Sequence, residues 1–231
     1  MGGKGAAGRL PFFVMQEKVS GIILAGGQSR RMGRSKALLR LGEKSIIERV
    51  VAVLAAVAQE VLVVTNEPAD YRFLGLPLVQ DRVTDRGPLG GLHAGLLAAS
   101  WEKTLVLPCD LPLMEACVLR LLLAAGEGYA VTVPVVRGYP EPLVGLYTKA
   151  CLPAVEAVLR RSERPRVADI YAYVPVRYLD ESEIAALTDV GRAFLNINTP
   201  ADWERAILLL EENLDNRASA AGFLQRAPNI S

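Results

Sequence analysis

From Val19 onward, short runs rich in Val, Ile and Leu alternate with longer stretches of helical period. That alternation leaves few architectures open, because it is the pattern of parallel strands joined by crossover helices. The predicted strands are Gly21–Ala25, Val61–Thr65, Leu78–Gln80, Thr104–Leu107 and Ala130–Pro134, followed by Leu143–Tyr147 and Pro175–Tyr178. Most are apolar on both faces, as strands covered by helices on both sides must be. The fold class is therefore α/β, with a three-layer, mostly parallel Rossmann-like sheet, and no internal repeat interrupts it.

Helix signals fall between the strands. Ser45 precedes Ile46, Ile47, Val50, Val51 and Leu54 at helical spacing, and Glu48 completes a capping box. A second helix is predicted to begin near Pro88 or Leu89. Its glycines Gly90, Gly91 and Gly95 lower helix propensity and so imply close backbone approach, either to the sheet or to a ligand. Ala150–Arg161 reads as a further helix. Asp202 to Leu210 reads as another, with Thr199 as its cap and Pro200 in its first turn, where a missing N–H costs nothing.

With 231 residues, 51% of them hydrophobic, one large domain is expected. The reading places it at 19–213, between an N-terminal extension (1–18) and a C-terminal tail (214–231) that lacks a clear period. A formal net charge of +1 with well-mixed signs gives no basic field for nucleic acid, which favours a small-molecule partner. Cys109, Cys117 and Cys151 form no C-x-x-C pair, which suggests a reducing, cytoplasmic setting, and with His93 as the only histidine a zinc site is not expected. The Leu10–Met15 run is too short for a signal-peptide core, and no apolar run approaches the ~18–20 residues of a membrane span. Met-Gly-Gly at the start lacks the Ser or Thr that myristoylation wants at position 6, which is Ala6.

The chemistry concentrates after the first strand, in Leu24-Ala25-Gly26-Gly27-Gln28-Ser29-Arg30-Arg31-Met32-Gly33-Arg34-Ser35-Lys36. A glycine turn at the carboxyl edge of a parallel sheet lets backbone N–H groups face a polyphosphate, and four cations crowd the same loop. It is not a Walker A loop, since five residues separate Gly27 from Gly33 and Arg34 follows. The dinucleotide fingerprint G-x-G-x-x-G is absent as well.

This stretch, L-A-G-G-x-S-x-R-M-G-x-x-K, resembles the signature of nucleotide-diphospho-sugar-transferase-type enzymes, in the MobA-like branch of molybdenum cofactor guanylyltransferases and their cytidylyl relatives. The resemblance implies that Leu24, Ala25, Gly26 and Gly27 wrap a nucleotide while Arg31 and Lys36 hold its phosphates. It extends to Pro108-Cys109-Asp110-Leu111-Pro112, where the aspartate of the family binds the ion bridging the phosphates. A hard Mg²⁺ ion suits one or two carboxylates plus phosphate oxygens and waters, so Asp110 is the metal candidate, with a helix-capping role as its alternative.

Asp81 matches a family aspartate that contacts the nucleotide, with Asp85 as a competitor and with satisfaction of turn backbone as the alternative for either. Thr65-Asn66 departs from the family, standing in place of a stretch whose asparagine contacts the base in some members, which makes Asn66 a candidate base contact. Gly87-Pro88-Leu89-Gly90-Gly91 resembles the segment that brings a helix N-terminus to the nucleotide. Asn196-Ile197-Asn198-Thr199-Pro200 resembles a motif of the guanylyltransferase branch, with Asn198 supplying an oxygen ligand or hydrogen bond at the active site. Glu141 to Tyr147 resembles the strand that floors the acceptor side.

The resemblance implies transfer of GMP from GTP to the terminal phosphate of molybdopterin, with Mg²⁺ as cofactor and molybdenum-insertion proteins or apo-molybdoenzymes as further partners. Lys36, Arg31, Asp110 and Asn198 would carry the chemistry. GTP is favoured because L-A-G-G with P-L-G-G resembles the guanine-using members, where cytidylyl relatives show L-A-A-G. Two other readings stay open at this point: a nucleotidyltransferase for another acceptor, of CTP:molybdopterin or sugar-phosphate type, and a non-catalytic GTP-binding partner in cofactor delivery.

Overall fold

The computed structural model describes residues 18–26, 36–81, 83 and 86–224, with side chains described as far as residue 212. The chain enters through β1 (Val19–Leu24) and, after a 3-10 turn at Lys36–Leu38, forms a small hairpin of β2 (Arg40–Leu41) and β3 (Lys44–Ser45). α1 (Ile46–Ala55) leads to β4 (Glu60–Val64), and a 3-10 segment at Pro68–Leu74 leads to β5 (Leu78–Val79). α2 (Gly87–Ala98) then crosses back to β6 (Lys103–Pro108). α3 (Ala116–Ala125), β7 (Val131–Val136), β8 (Tyr139–Pro140), β9 (Gly145–Thr148), α4 (Leu152–Arg161) and β10 (Val176–Leu179) complete the central layer and its covers. Two short helices, α5 (Glu181–Ala185) and α6 (Val190–Ala193), precede α7 (Pro200–Leu224).

Among the described residues the strand order is β10-β7-β9-β6-β1-β4-β5, with β8 paired to β7. β5, β4, β1 and β6 are parallel, and β10 is parallel to β7. β9 runs antiparallel to both of its neighbours. Its direction follows from its connection, since the stretch from Arg137 to Val144 is too short for the dozen or so residues of a crossover, and the chain must turn straight back. The expected three-layer, mostly parallel sheet is observed.

Alternation along β1 builds two of the layers. Val19, Ile23 and Ala25 enter the cluster under α1 and α3, with Ile47, Val50, Leu54, Val118, Leu119 and Leu122. Ile22 and Leu24 enter the opposite cluster under α2 and α4, with Leu89, Leu92, Leu96, Val155 and Val158. Each buried Val, Leu or Ile among them contributes about 1.5–3 kcal/mol. A third, smaller cluster packs α7 on the β2–β3 hairpin through Leu41, Ile46, Ile197 and Ala206, with Trp203 against it.

Local signals behave as the sequence predicts at α1, where Ser45 N–H donates to Glu48 Oε2 at 2.6 Å and Ser45 Oγ accepts from Glu48 N–H at 3.4 Å. α7 departs from expectation by running on to Leu224, into residues read as a loose tail. Glu211, Glu212, Arg217, Ala218 and Ala220 are good helix formers without an apolar stripe, so propensity extends the helix where periodicity gives no signal. Among the described residues no helix is long and apolar enough to cross a membrane.

Candidate active site

The chain leaves β1 for β4 on one side, while β6 lies on the other. β1 and β6 are paired in register, Leu24 opposite Pro108. This is the topological switch point of the sheet, and the crevice beyond the carboxyl ends of the two strands is where open α/β sheets take ligands.

The residues just past each parallel strand therefore line one edge. After β1, Ala25 is buried and donates its N–H to the Val64 carbonyl at 2.8 Å, and Gly26 is exposed. Leu24 is also buried, and its carbonyl accepts from Cys109 N–H at 3.2 Å, which ties the ends of β1 and β6 together. Gly27, Arg31 and Asp85 lie outside the described residues. After β4 comes the exposed Asn66, whose Oδ1 accepts from Asp81 N–H at 3.2 Å just beyond β5. Two residues predicted to contact the nucleotide are thus joined to each other.

Asp81 Oδ1 accepts from Val83 N–H at 2.8 Å. Burial raises the Asp81 carboxyl above the usual carboxylate range, against the Val83 hydrogen bond and the nearby His93. The carboxylate rests on Gly90 in the first turns of α2, where any Cβ would collide with Asp81 Oδ2. Gly95 serves a different end, since a Cβ there would lie 2.6 Å from Ile22 Cδ1 in the sheet. The glycines of α2 thus answer to crowding by the Asp81 carboxylate at Gly90 and by the sheet at Gly95.

Beyond β6, Asp110 Oδ1 is buried and has no hydrogen-bond partner among the described residues. Burial raises its carboxyl, opposed by a backbone hydrogen bond and by the charge of Lys36. Its backbone carbonyl accepts from Ile197 N–H at 3.0 Å. Lys36 in turn donates from Nζ to the Asn198 carbonyl at 2.6 Å. The motif implies an oxygen ligand or a hydrogen bond from Asn198, and the hydrogen bond observed is made by its main chain. Lys36, Asp110 and Asn198, far apart in sequence, meet at the same edge.

A buried carboxylate oxygen without a donor is suited to a cation. Among the described residues no group of three or more His, Cys, Asp or Glu could hold a metal, so any ion here would take Asp110 together with substrate oxygens and water. That donor set fits Mg²⁺. Burial and the Asp110 charge push the thiol of Cys109, next door, up to about 12, which favours its protonated form at neutral pH. Cys151 is buried in the α4 cluster, and His93 lies 3.7 Å from Glu156 of α4 as well as near Asp81.

Asp202 is the residue sequence reading missed. Its Oδ2 accepts from Asn198 N–H at 3.0 Å, Thr199 N–H at 2.7 Å and Thr199 Oγ1 at 2.9 Å. Thr199 Oγ1 accepts from Asp202 N–H at 3.2 Å, so Thr199 caps α7 as predicted. The T-x-x-D spacing is itself the signal of a reciprocal cap. Beside this turn a cavity of about 220 Å³ opens between Lys36, Leu39, Pro200 and Trp203.

A buried carboxylate oxygen and a lysine tethered to the main chain thus meet at the switch point of a three-layer α/β sheet, an architecture this chain shares with nucleotidyltransferases. The chain belongs to the MobA-like NTP transferase family, whose domain matches residues 21–175. It is 40% identical over 200 residues to the probable molybdenum cofactor guanylyltransferase of Pelotomaculum thermopropionicum, covering 87% of this chain and 97% of that one. It is 34% identical over 192 residues to the molybdenum cofactor guanylyltransferase of Desulfosudis oleivorans, covering 82% and 95%. Among solved structures, the molybdopterin-guanine dinucleotide biosynthesis protein A of Archaeoglobus fulgidus shares the fold, with a TM-score of 0.72 at 24% identity over 84% of this chain and 99% of that one.

Proposed function

We propose that this protein transfers GMP from GTP to the terminal phosphate of molybdopterin, releasing pyrophosphate and forming the guanine dinucleotide of the cofactor. The observation that carries the reading is the buried Asp110 Oδ1, which has no hydrogen-bond partner among the described residues and lies near Lys36, in a chain whose relatives over most of its length are named molybdenum cofactor guanylyltransferases.

A terminal phosphate oxygen of the acceptor attacks the α-phosphorus of GTP. The new P–O bond forms as the bond from the α-phosphorus to the bridging oxygen breaks, and that oxygen leaves with pyrophosphate. The nucleophile is already anionic, so no general base is required. Alignment and charge neutralisation remain for the protein to supply.

Lys36 and, by the family motif, Arg31 would neutralise phosphate oxygens, the Gly26-Gly27 turn would donate backbone N–H groups, and Asn66 and Asp81, with Leu24 and Ala25, would seat the nucleotide. Asn198 holds Lys36 in place. Asp110 would hold Mg²⁺, which when bound offsets the charge of the phosphates. The setting is the cytoplasm, where molybdenum-insertion proteins or apo-molybdoenzymes would receive the product.

The test is pyrophosphate release from each of the four NTPs with Mg²⁺ and molybdopterin, with Asp110→Ala as control. Turnover with GTP alone, lost in the variant, supports the reading. Preference for CTP moves the chain to the cytidylyl branch, and inertness with every NTP sinks the transferase reading.

A further inference from the structure

We propose that Asp202 is a positioning residue for Lys36, acting through the main chain of the Ile197–Thr199 strap. The proposal rests on the reading of Lys36 as a phosphate-binding cation. The strap is fixed at both ends. Ile197 N–H is held by the Asp110 carbonyl at 3.0 Å, and the next two N–H groups, of Asn198 and Thr199, are held by the Asp202 carboxylate at 3.0 and 2.7 Å. Between these anchors the Asn198 carbonyl accepts from Lys36 Nζ at 2.6 Å.

A helix cap satisfies orphan N–H groups with one or two hydrogen bonds. Asp202 exceeds that need. Its carboxylate also binds the Thr199 hydroxyl at 2.9 Å, so a single side chain fixes two consecutive peptides. The orientation of the Asn198 carbonyl follows from those peptides, and the place of the lysine ammonium follows from the carbonyl. A long lysine side chain loses rotamer freedom on ordering, and a carbonyl already aimed at it removes part of that cost before substrate arrives. The Asp202 carboxylate also lies within the field of Lys36, which helps to hold it below the usual carboxylate range after the hydrogen bonds from Thr199 and Asn198.

The experiment is a double-mutant cycle on GTP affinity, by calorimetry on the full chain with Mg²⁺, using Asp202→Ala, Lys36→Ala and the pair. Asp202→Ala is expected to weaken GTP binding about tenfold, equivalent to ~1.4 kcal/mol. In the Lys36→Ala background it should cost less than about twofold, because the group it positions is gone. Leu208→Gly weakens α7 by roughly a cap's worth at a 60% exposed position two turns away, and should leave GTP affinity unchanged.

Equal losses from Asp202→Ala in both backgrounds overturn the proposal, as does an equal loss from Leu208→Gly. If Asp202→Ala does not fold, Asp202→Asn keeps the volume and one acceptor, and its smaller loss must likewise vanish without Lys36. Pyrophosphate release is measured separately on the wild type. Absence of turnover with an intact cycle sinks the transfer reading alone, turnover with an additive cycle sinks only the role of Asp202, and a wild type that binds no GTP sinks both.

Discussion

The Asp81 carboxylate lies against Gly90 so closely that the first carbon of any side chain there would overlap Asp81 Oδ2. On propensity alone Gly90→Ala should stabilise α2 by up to about 1 kcal/mol. The geometry reverses the sign for function. Asp81 must rotate away, breaking the Val83 hydrogen bond and disturbing the amide that donates to Asn66. Gly90→Ala is expected to remain folded and to weaken GTP binding several-fold, matching Asp81→Asn. Titration calorimetry on the two variants checks this, and an unchanged affinity in Gly90→Ala would show that Asp81 is not held for the nucleotide.

At Gly95 the crowding is with the sheet. A Cβ would lie 2.6 Å from Ile22 Cδ1, 3.0 Å from Ile22 Cγ2 and 3.1 Å from Val64 Cγ2. Gly95→Ala should therefore destabilise by about 1–3 kcal/mol, the range of overpacked cores. Ile22→Val removes the nearest atom. The double variant Gly95→Ala/Ile22→Val should recover part of the loss in urea unfolding, whereas strict additivity would place the strain elsewhere.

Trp203 joins α7 to the hairpin, its Nε1 donating to the Arg40 carbonyl at 3.2 Å while its ring packs on the third cluster. Trp203→Phe keeps most of that packing and loses one hydrogen bond, so the melting temperature should fall by ~2–4 °C for a loss of about 1 kcal/mol. Trp203→Ala also removes the ring and should cost more. Because α7 carries Asp202, only the alanine variant should also weaken GTP binding. Melting curves and GTP titrations on the two variants separate the effects, and equal GTP losses would contradict the reading.

The sheet was legible because its strands are apolar on both faces. Val61–Thr65 and Thr104–Leu107 were expected, and Glu60–Val64 and Lys103–Pro108 are found. α1 was legible because Ser45 and Glu48 announce its start. The end of α7 was not, since a helix without an apolar stripe has no period to read. Asp110 and Lys36 could be placed at one edge because Asp110 and the glycine loop that ends in Lys36 each follow a buried parallel strand. Their link through the main chain of Ile197 and Asn198 could not, because main-chain groups carry no side-chain signature and the orientation of the Asn198 carbonyl comes from Asp202.

The burial of Asp110 makes a prediction about acidity. Its carboxyl is raised in the folded chain, so the ionised form costs stability at neutral pH in the absence of ligand. The cost is fully present above the raised folded value. It declines as pH falls and is absent below the unfolded value of about 3.9. Asp110→Asn should therefore melt higher than the wild type at pH 7, and the difference should shrink as the pH is lowered. With Mg²⁺ and GTP the order should invert, because ligand stabilises only the protein that binds it, and Asp110→Asn lacks the carboxylate for the ion. Melting curves across this pH range, with and without Mg²⁺ and GTP, carry the test. If Asp110→Asn melts lower than the wild type without ligand at pH 7, the buried carboxylate is serving the fold and not a cation.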